Sequence, residues 1–156
     1  MDFYTTSTFR QSLAELVKKS KDGYQTVVHD ICEALQSMPD NILRDTNDRV
    51  YQYPEYRIVK LRLPNTGQKL SRPNGFRLIY YVSLKNNDVA LLRVYPKRGP
   101  KAAVDLTTAE YTRLQLELYH ESQLKALHQI DIANQLAELS TEGTLHKQMS
   151  DVRCLM

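Results

Sequence analysis

Five cations on three neighbouring segments are the strongest candidates for chemistry in this chain: Lys60 and Arg62, then Arg77, then Lys97 with Arg98. Two residues apart on an extended strand, Lys60 and Arg62 project from one face about 6–7 Å apart. Arg77 opens the next apolar run, and Lys97-Arg98 close the one after it. An antiparallel meander can therefore gather all five at one end of a sheet. Cations held that close repel one another unless an anion compensates, and phosphate matches such a cluster best. The stretch Tyr56–Lys101 carries eleven Lys or Arg against one acid, Asp88, a net +10 in a chain whose total is +3. A sheet this basic that still buries one face is a surface for polyphosphate.

Carboxylates are as informative by their scarcity. A magnesium-dependent nuclease needs Asp or Glu to hold the ion, and the meander offers only Asp88, in a turn. Neither metal nor cofactor is expected. RNA can be cleaved without metal because it supplies its own nucleophile, the 2′-hydroxyl, whereas DNA lacks it. The protein must align that oxygen, neutralise charge on the equatorial oxygens and manage two protons. Arginine suits the second task, since its planar fork donates to two phosphate oxygens at once. A lysine crowded by cations gives up its proton more readily, which is the setting expected for Lys60 beside Arg62 and Arg77. Further candidates for RNA contact are Arg57, Lys69, Arg72 and Lys101, with the ring of Tyr95. From charge alone, the same face reads more often as a binding or solvated surface than as a catalytic site.

The elements that must position these groups follow from periodicity. Ser7 or Thr8 can cap a first helix with Phe9, Leu13, Leu16 and Val17 on one face, ending near Asp22-Gly23. Lys18, Lys19 and Lys21 fall in its last turn, where cations suit the helix dipole. Tyr24, Val27, Val28, Ile31, Leu35 and Met38 mark a second helix that Pro39 stops. Residues 39–55 read as a polar connection, with a short turn at Ile42-Leu43. In Tyr56–Leu63, Val59, Leu61 and Leu63 alternate with Ile58, Lys60 and Arg62. Pro64-Asn65-Thr66-Gly67 breaks that strand. Phe76–Val82 and Val89–Tyr95 predict two more, joined by a tight turn at Lys85–Asp88. The fold class expected is α+β, two N-terminal helices packed on a small antiparallel meander.

Beyond Asp105 the character changes. Thr107 and Glu110 form a capping-box pattern, and helix-favouring residues continue to about Leu139, with a bend or break near His120–Gln123. Residues 106–156 hold four basic groups against seven acidic, so this extension is acidic. It divides the chain into a core over residues 1–106 and a helical extension over 107–156. That extension can pack on the sheet, dimerise, bind a partner or fold over the basic face. His29, His120, His128 and His146 read as structural or solvent-exposed. Cys32 and Cys154 show no metal or disulfide spacing, which predicts reduced thiols and a cytoplasmic protein. No signal peptide, membrane span or prenylation box is read, so no membrane partner is expected.

In order and spacing, KLRL at Lys60–Leu63, GFRLIYYV at Gly75–Val82 and VALLRVYPKR at Val89–Arg98 resemble the RelE/HigB toxins of the RelE/ParE superfamily. The likeness covers about residues 9–118, and it lies in the sequence of three short motifs. It implies the toxin of a type II toxin–antitoxin system, an mRNA interferase that enters the ribosome and cleaves mRNA through the 2′-hydroxyl. The partners implied are a cognate antitoxin, the ribosome and mRNA, with a homodimer through the extension as a further expectation. By position, Lys60 and Arg62 match the family's paired basic residues, Arg77 the arginine of its second motif, and Lys97 and Arg98 its basic loop. Many members place a Tyr or His after that loop. Here stands Gly99-Pro100-Lys101-Ala102-Ala103-Val104, with Tyr95 and Tyr111 the nearest substitutes. Two other readings stay open on the same scaffold: a ParE-like gyrase inhibitor without catalysis, and a basic RNA- or ribosome-binding module. A degenerate toxin serving only as a structural partner is the last.

Overall fold

The computed structural model describes residues 1–36, 49–103 and 105–131. Its strands are β1 (Asp2–Thr5), β2 (Arg49–Gln52), β3 (Tyr56–Leu63), β4 (Phe76–Ser83), β5 (Asp88–Pro96) and β6 (His128–Ile130). Its helices are α1 (Ser7–Lys18), α2 (Val27–Gln36) and α3 (Thr108–Gln123). Among the described residues the fold is α+β, with three helices and a six-stranded, mostly antiparallel sheet ordered β2-β3-β4-β5-β1-β6. Strands β3, β4 and β5 form the expected meander. Strand β1 joins parallel to β5, and β6 pairs antiparallel with β1.

Strand alternation sends apolar side chains to both faces, and each face has its own core. On one, α1 and α2 bury Phe9, Leu13, Ile31 and Leu35 against Val59, Leu63, Leu78 and Leu91. On the other, α3 brings Tyr111 and Leu114 onto Ile58, Ile79, Leu92 and Tyr95. The sheet is thus a middle layer, and the cationic side of β3 and β4 shares its face with α3.

Several boundaries differ from the periodicity reading. The cap of α1 is Thr6, whose hydroxyl accepts from Phe9 N, instead of Ser7 or Thr8. Extended backbone leaving β1 ends at Thr6, and only tertiary pairing selects among the hydroxyls of Thr5-Thr6-Ser7-Thr8. Helix α1 stops at Lys18, and a short helical turn follows at Ser20–Asp22. Tyr24 is buried but precedes α2. Met38, Pro39 and the turn at Ile42-Leu43 lie outside the described residues. Within the expected connection 39–55, Arg49–Gln52 is a strand paired with β3. The helix after Thr107 ends at Gln123, at the break expected near His120–Gln123, but the chain then returns to the sheet as β6 instead of continuing as helix. The tail beyond residue 131, including the rest of the helix expected to Leu139, lies outside the described residues.

Candidate cationic site

The sheet register brings the first three candidate cations to one end of one face. Arg62 and Arg77 are cross-strand partners, and Arg77 is in turn the partner of Tyr95. One step inward, Lys60 faces Ile79, whose other partner is Arg93. Lys97 extends the ladder beyond β5, its N–H donating to Gly75 O at 2.8 Å. Neighbouring strands lie about 4.8 Å apart, so these groups share one short edge of the sheet. Gly75 permits the approach: a Cβ there would stand 2.0 Å from Leu63 O. Gly99, at φ +91°, does the same after the basic loop, where a Cβ would meet Tyr24 Oη at 2.4 Å. Tyr24 Oη also donates to Arg98 O and accepts from Lys101 N, which anchors that loop to the helical layer.

Individual roles differ from the sequence expectation. The sequence reads Arg77 as an open phosphate fork. Instead it is 4% exposed, and its guanidinium donates to the carbonyls of Arg72 (2.9 Å), Pro73 (2.8 Å) and Phe76 (3.2 Å). It holds the turn Arg72–Asn74 against β4. Arg98 grips the same turn from outside, with Nε and Nη2 donating to Asn74 Oδ1 at 3.1 and 2.8 Å. Arg62, Arg98, Lys69, Arg72 and Lys101 are exposed, and Lys60 and Lys97 are half-buried. The loops carrying Lys69, Arg72 and Lys101 all open at this end. Arg57 does not join them. It faces Val82 near the other end of β3, and alternation puts it on the α1–α2 side.

Lys60 donates to Asp105 Oδ1 at 3.3 Å. The hydrogen bond and charge of Lys60 hold the Asp105 carboxyl below its usual range, and Lys97 and Arg77 add to the effect. Arg93 pairs with Glu110 of α3 at 3.1 Å. The compensating anions are therefore the chain's own, and Asp105 is a site residue that charge counting on the meander missed. Its only sequence signal is an acid beside an otherwise basic loop. Tyr95 is 3% exposed and cannot offer its face to a base, contrary to its place among the RNA contacts. Its ring takes the Arg93 guanidinium at 5.4 Å, while its buried hydroxyl has no hydrogen-bond partner among the described residues. Burial and the Asp105 charge push that phenol up, and Arg77 and Arg93 pull it down. Tyr111, the other substitute, is buried edge-on to Tyr51, and burial pushes it strongly upward.

Among the described residues, no group of three or more His, Cys, Asp or Glu could hold a metal ion. None of the described helices is long and apolar enough to cross a membrane. No protein-family model, curated protein or solved structure matches the chain.

Proposed function

We propose that this protein is a metal-free, ribosome-dependent mRNA endonuclease of the RelE/HigB type, acting in the cytoplasm and held in check by a cognate antitoxin. One observation carries the reading: the register of β3, β4 and β5 and the loop after β5 set Lys60, Arg62, Lys97 and Arg98 at a single end of the sheet. In this reading a scissile phosphate enters among Arg62, Lys97 and Arg98, which neutralise its equatorial oxygens. The RNA 2′-oxygen attacks phosphorus, the P–O5′ bond breaks, and a 2′,3′-cyclic phosphate forms. Lys60 is the candidate to take the 2′-proton once phosphate has displaced Asp105. Water returns a proton to the leaving 5′-oxygen, the Tyr95 hydroxyl being buried. Arg77 acts through the turn it holds.

Primer extension on translating ribosomes tests this directly. Expression of the wild-type protein is expected to leave breaks within A-site codons, and Lys60→Ala and Arg62→Ala to remove them while ribosome binding persists. Intact mRNA with arrested growth overturns the catalytic reading.

The commitment of Arg77 to three carbonyls and the burial of Tyr95 favour a second reading on the same scaffold. It is a non-catalytic gyrase inhibitor of the ParE type, or a basic RNA- or ribosome-binding module. Damaged chromosomes with intact mRNA select the former. Ribosome binding without cleavage selects the latter.

A further inference from the structure

Far from the cations, the α3 face of the sheet holds a groove of about 660 Å³. Its walls are aromatic: Tyr4, Tyr56 and Tyr81 line it from the strands, and Leu118 and Tyr119 from α3. Tyr56 and Tyr81 stack with centroids 5.2 Å apart, and Tyr53 stacks on Tyr56 at 4.6 Å. Ala90 is the register partner of both Tyr81 and Tyr4, so β5 sets only a methyl between rings on its two flanking strands. Next along β5 on this face, Asp88 also lines the groove, and its partner on β1 is Asp2. Like charges side by side on adjacent strands repel. Neither carboxylate is ion-paired among the described residues. Burial and the neighbouring Asp2 both push the Asp88 carboxyl up. Lys125, exposed on the rim, supplies a cation to the lining but pairs with neither.

Aromatic walls beside uncompensated carboxylates are the chemistry of an organic-cation site. Phosphate is repelled there, and a neutral apolar ligand would leave the Asp88 carboxylate desolvated without a partner. A guanidinium fits better than an ammonium, being flat, weakly hydrated and able to donate to two carboxylates while it stacks. The volume exceeds one side chain and accommodates flanking backbone. We propose that this groove receives an arginine side chain of a partner protein, its planar group against Tyr4 and Tyr81 and its N–H groups toward Asp88 and Asp2. This inference is independent of the nuclease reading, because it uses none of the cationic residues.

The test titrates the full chain, carrying carbon-labelled tyrosines, with a capped Gly-Arg-Gly tripeptide and its neutral citrulline isostere. Saturable shifts of Tyr4 and Tyr81 are expected with arginine, and at least about tenfold weaker binding with citrulline. Asp88→Asn, which keeps shape and removes charge, is expected to weaken arginine binding by about tenfold. Tyr4→Leu should do the same, with unchanged core methyl signals confirming the fold. Equal binding of citrulline, or no shift with arginine, overturns the proposal. Binding of free guanidinium as tight as that of the tripeptide also overturns it, since no partner chain would then be required.

Discussion

Lys60 Nζ donates to Asp105 Oδ1 across 3.3 Å, and the same carboxylate feels the charges of Lys97 and Arg77. A carboxylate drawn to several cations occupies the position that suits a phosphate. The pair itself is exposed on the Asp105 side and is worth about 0–1 kcal/mol. Its larger effect is competition. Asp105→Asn is expected to tighten single-stranded RNA binding by about three- to tenfold at low salt, the gain fading as ionic strength rises. Fluorescence anisotropy with a labelled RNA reads this, and an unchanged affinity would place Asp105 outside the phosphate path.

Arg77 sits where one residue serves both fold and site. Three carbonyls accept from its guanidinium, and two of them belong to the turn whose Asn74 holds Arg98. Hydrogen bonds from a charged donor are worth more than neutral ones, so Arg77→Ala is expected to cost about 2–4 kcal/mol in urea unfolding. Lysine cannot reproduce the fork, and Arg77→Lys should recover less than half of that loss. RNA binding should fall with stability in both variants. A fully stable Arg77→Ala that loses only RNA contact would mean the guanidinium faces the ligand after all.

The meander is legible in the sequence because alternation is a strong local signal. Val59 and Leu63 against Ile58 and Lys60 assign the two faces of β3 from the residue pattern alone. The short strands are not legible. Residues Asp2–Thr5 find their partner in Asp88–Leu91, across most of a hundred residues of chain, with no turn to announce the pairing. Strand β6 is three residues long. Tyr95 shows the same limit at the site, since alternation places it beside Arg77 but says nothing of α3 covering it. Asp105 is hidden for a related reason: a lone acid outside the meander acquires meaning only when the chain folds back beside Lys60.

Thr107 is an element boundary that the pattern predicts. Its hydroxyl accepts from Glu110 N at 3.2 Å, and Glu110 accepts in return from Thr107 N at 3.2 Å, completing the capping box. Because Glu110 also reaches Arg93, this cap ties the start of α3 to β5. Thr107→Ala is expected to destabilise the protein by about 1 kcal/mol in urea unfolding, with a small drop in helical signal by circular dichroism. Thr107→Ser should restore most of it. Equal losses for both variants would show that the methyl, and not the hydroxyl, matters there.

Glu117 and Glu121, one turn apart on α3, meet the N-terminus of α1. Glu121 accepts from Ser7 N at 3.1 Å and Ser7 Oγ at 3.2 Å, while Glu117 accepts from Thr8 N at 2.8 Å and from the Thr8 hydroxyl. Arg10 lies 3.9 Å from Glu121. These bonds satisfy amides that a helix start leaves open. Burial, then the adjacent Glu117, pushes Glu121 up to about 7 from the usual 4.5. Glu117 is also raised by burial, but the Thr8 bonds outweigh that and hold it below its usual range. A group raised in the folded state binds a proton that the unfolded chain releases, so its stabilisation is complete below about 4.5 and is lost as pH climbs through 7. Glu117 has the opposite sign, and its contribution is lost as pH falls below the ordinary carboxylate range. Wild-type stability in urea is therefore expected to decline from about pH 4.5 to about pH 7, and Glu121→Gln to flatten that slope. Glutamine keeps an acceptor for Ser7 without the titration. A Glu121→Gln profile that still falls through neutral pH would move the proton to another group.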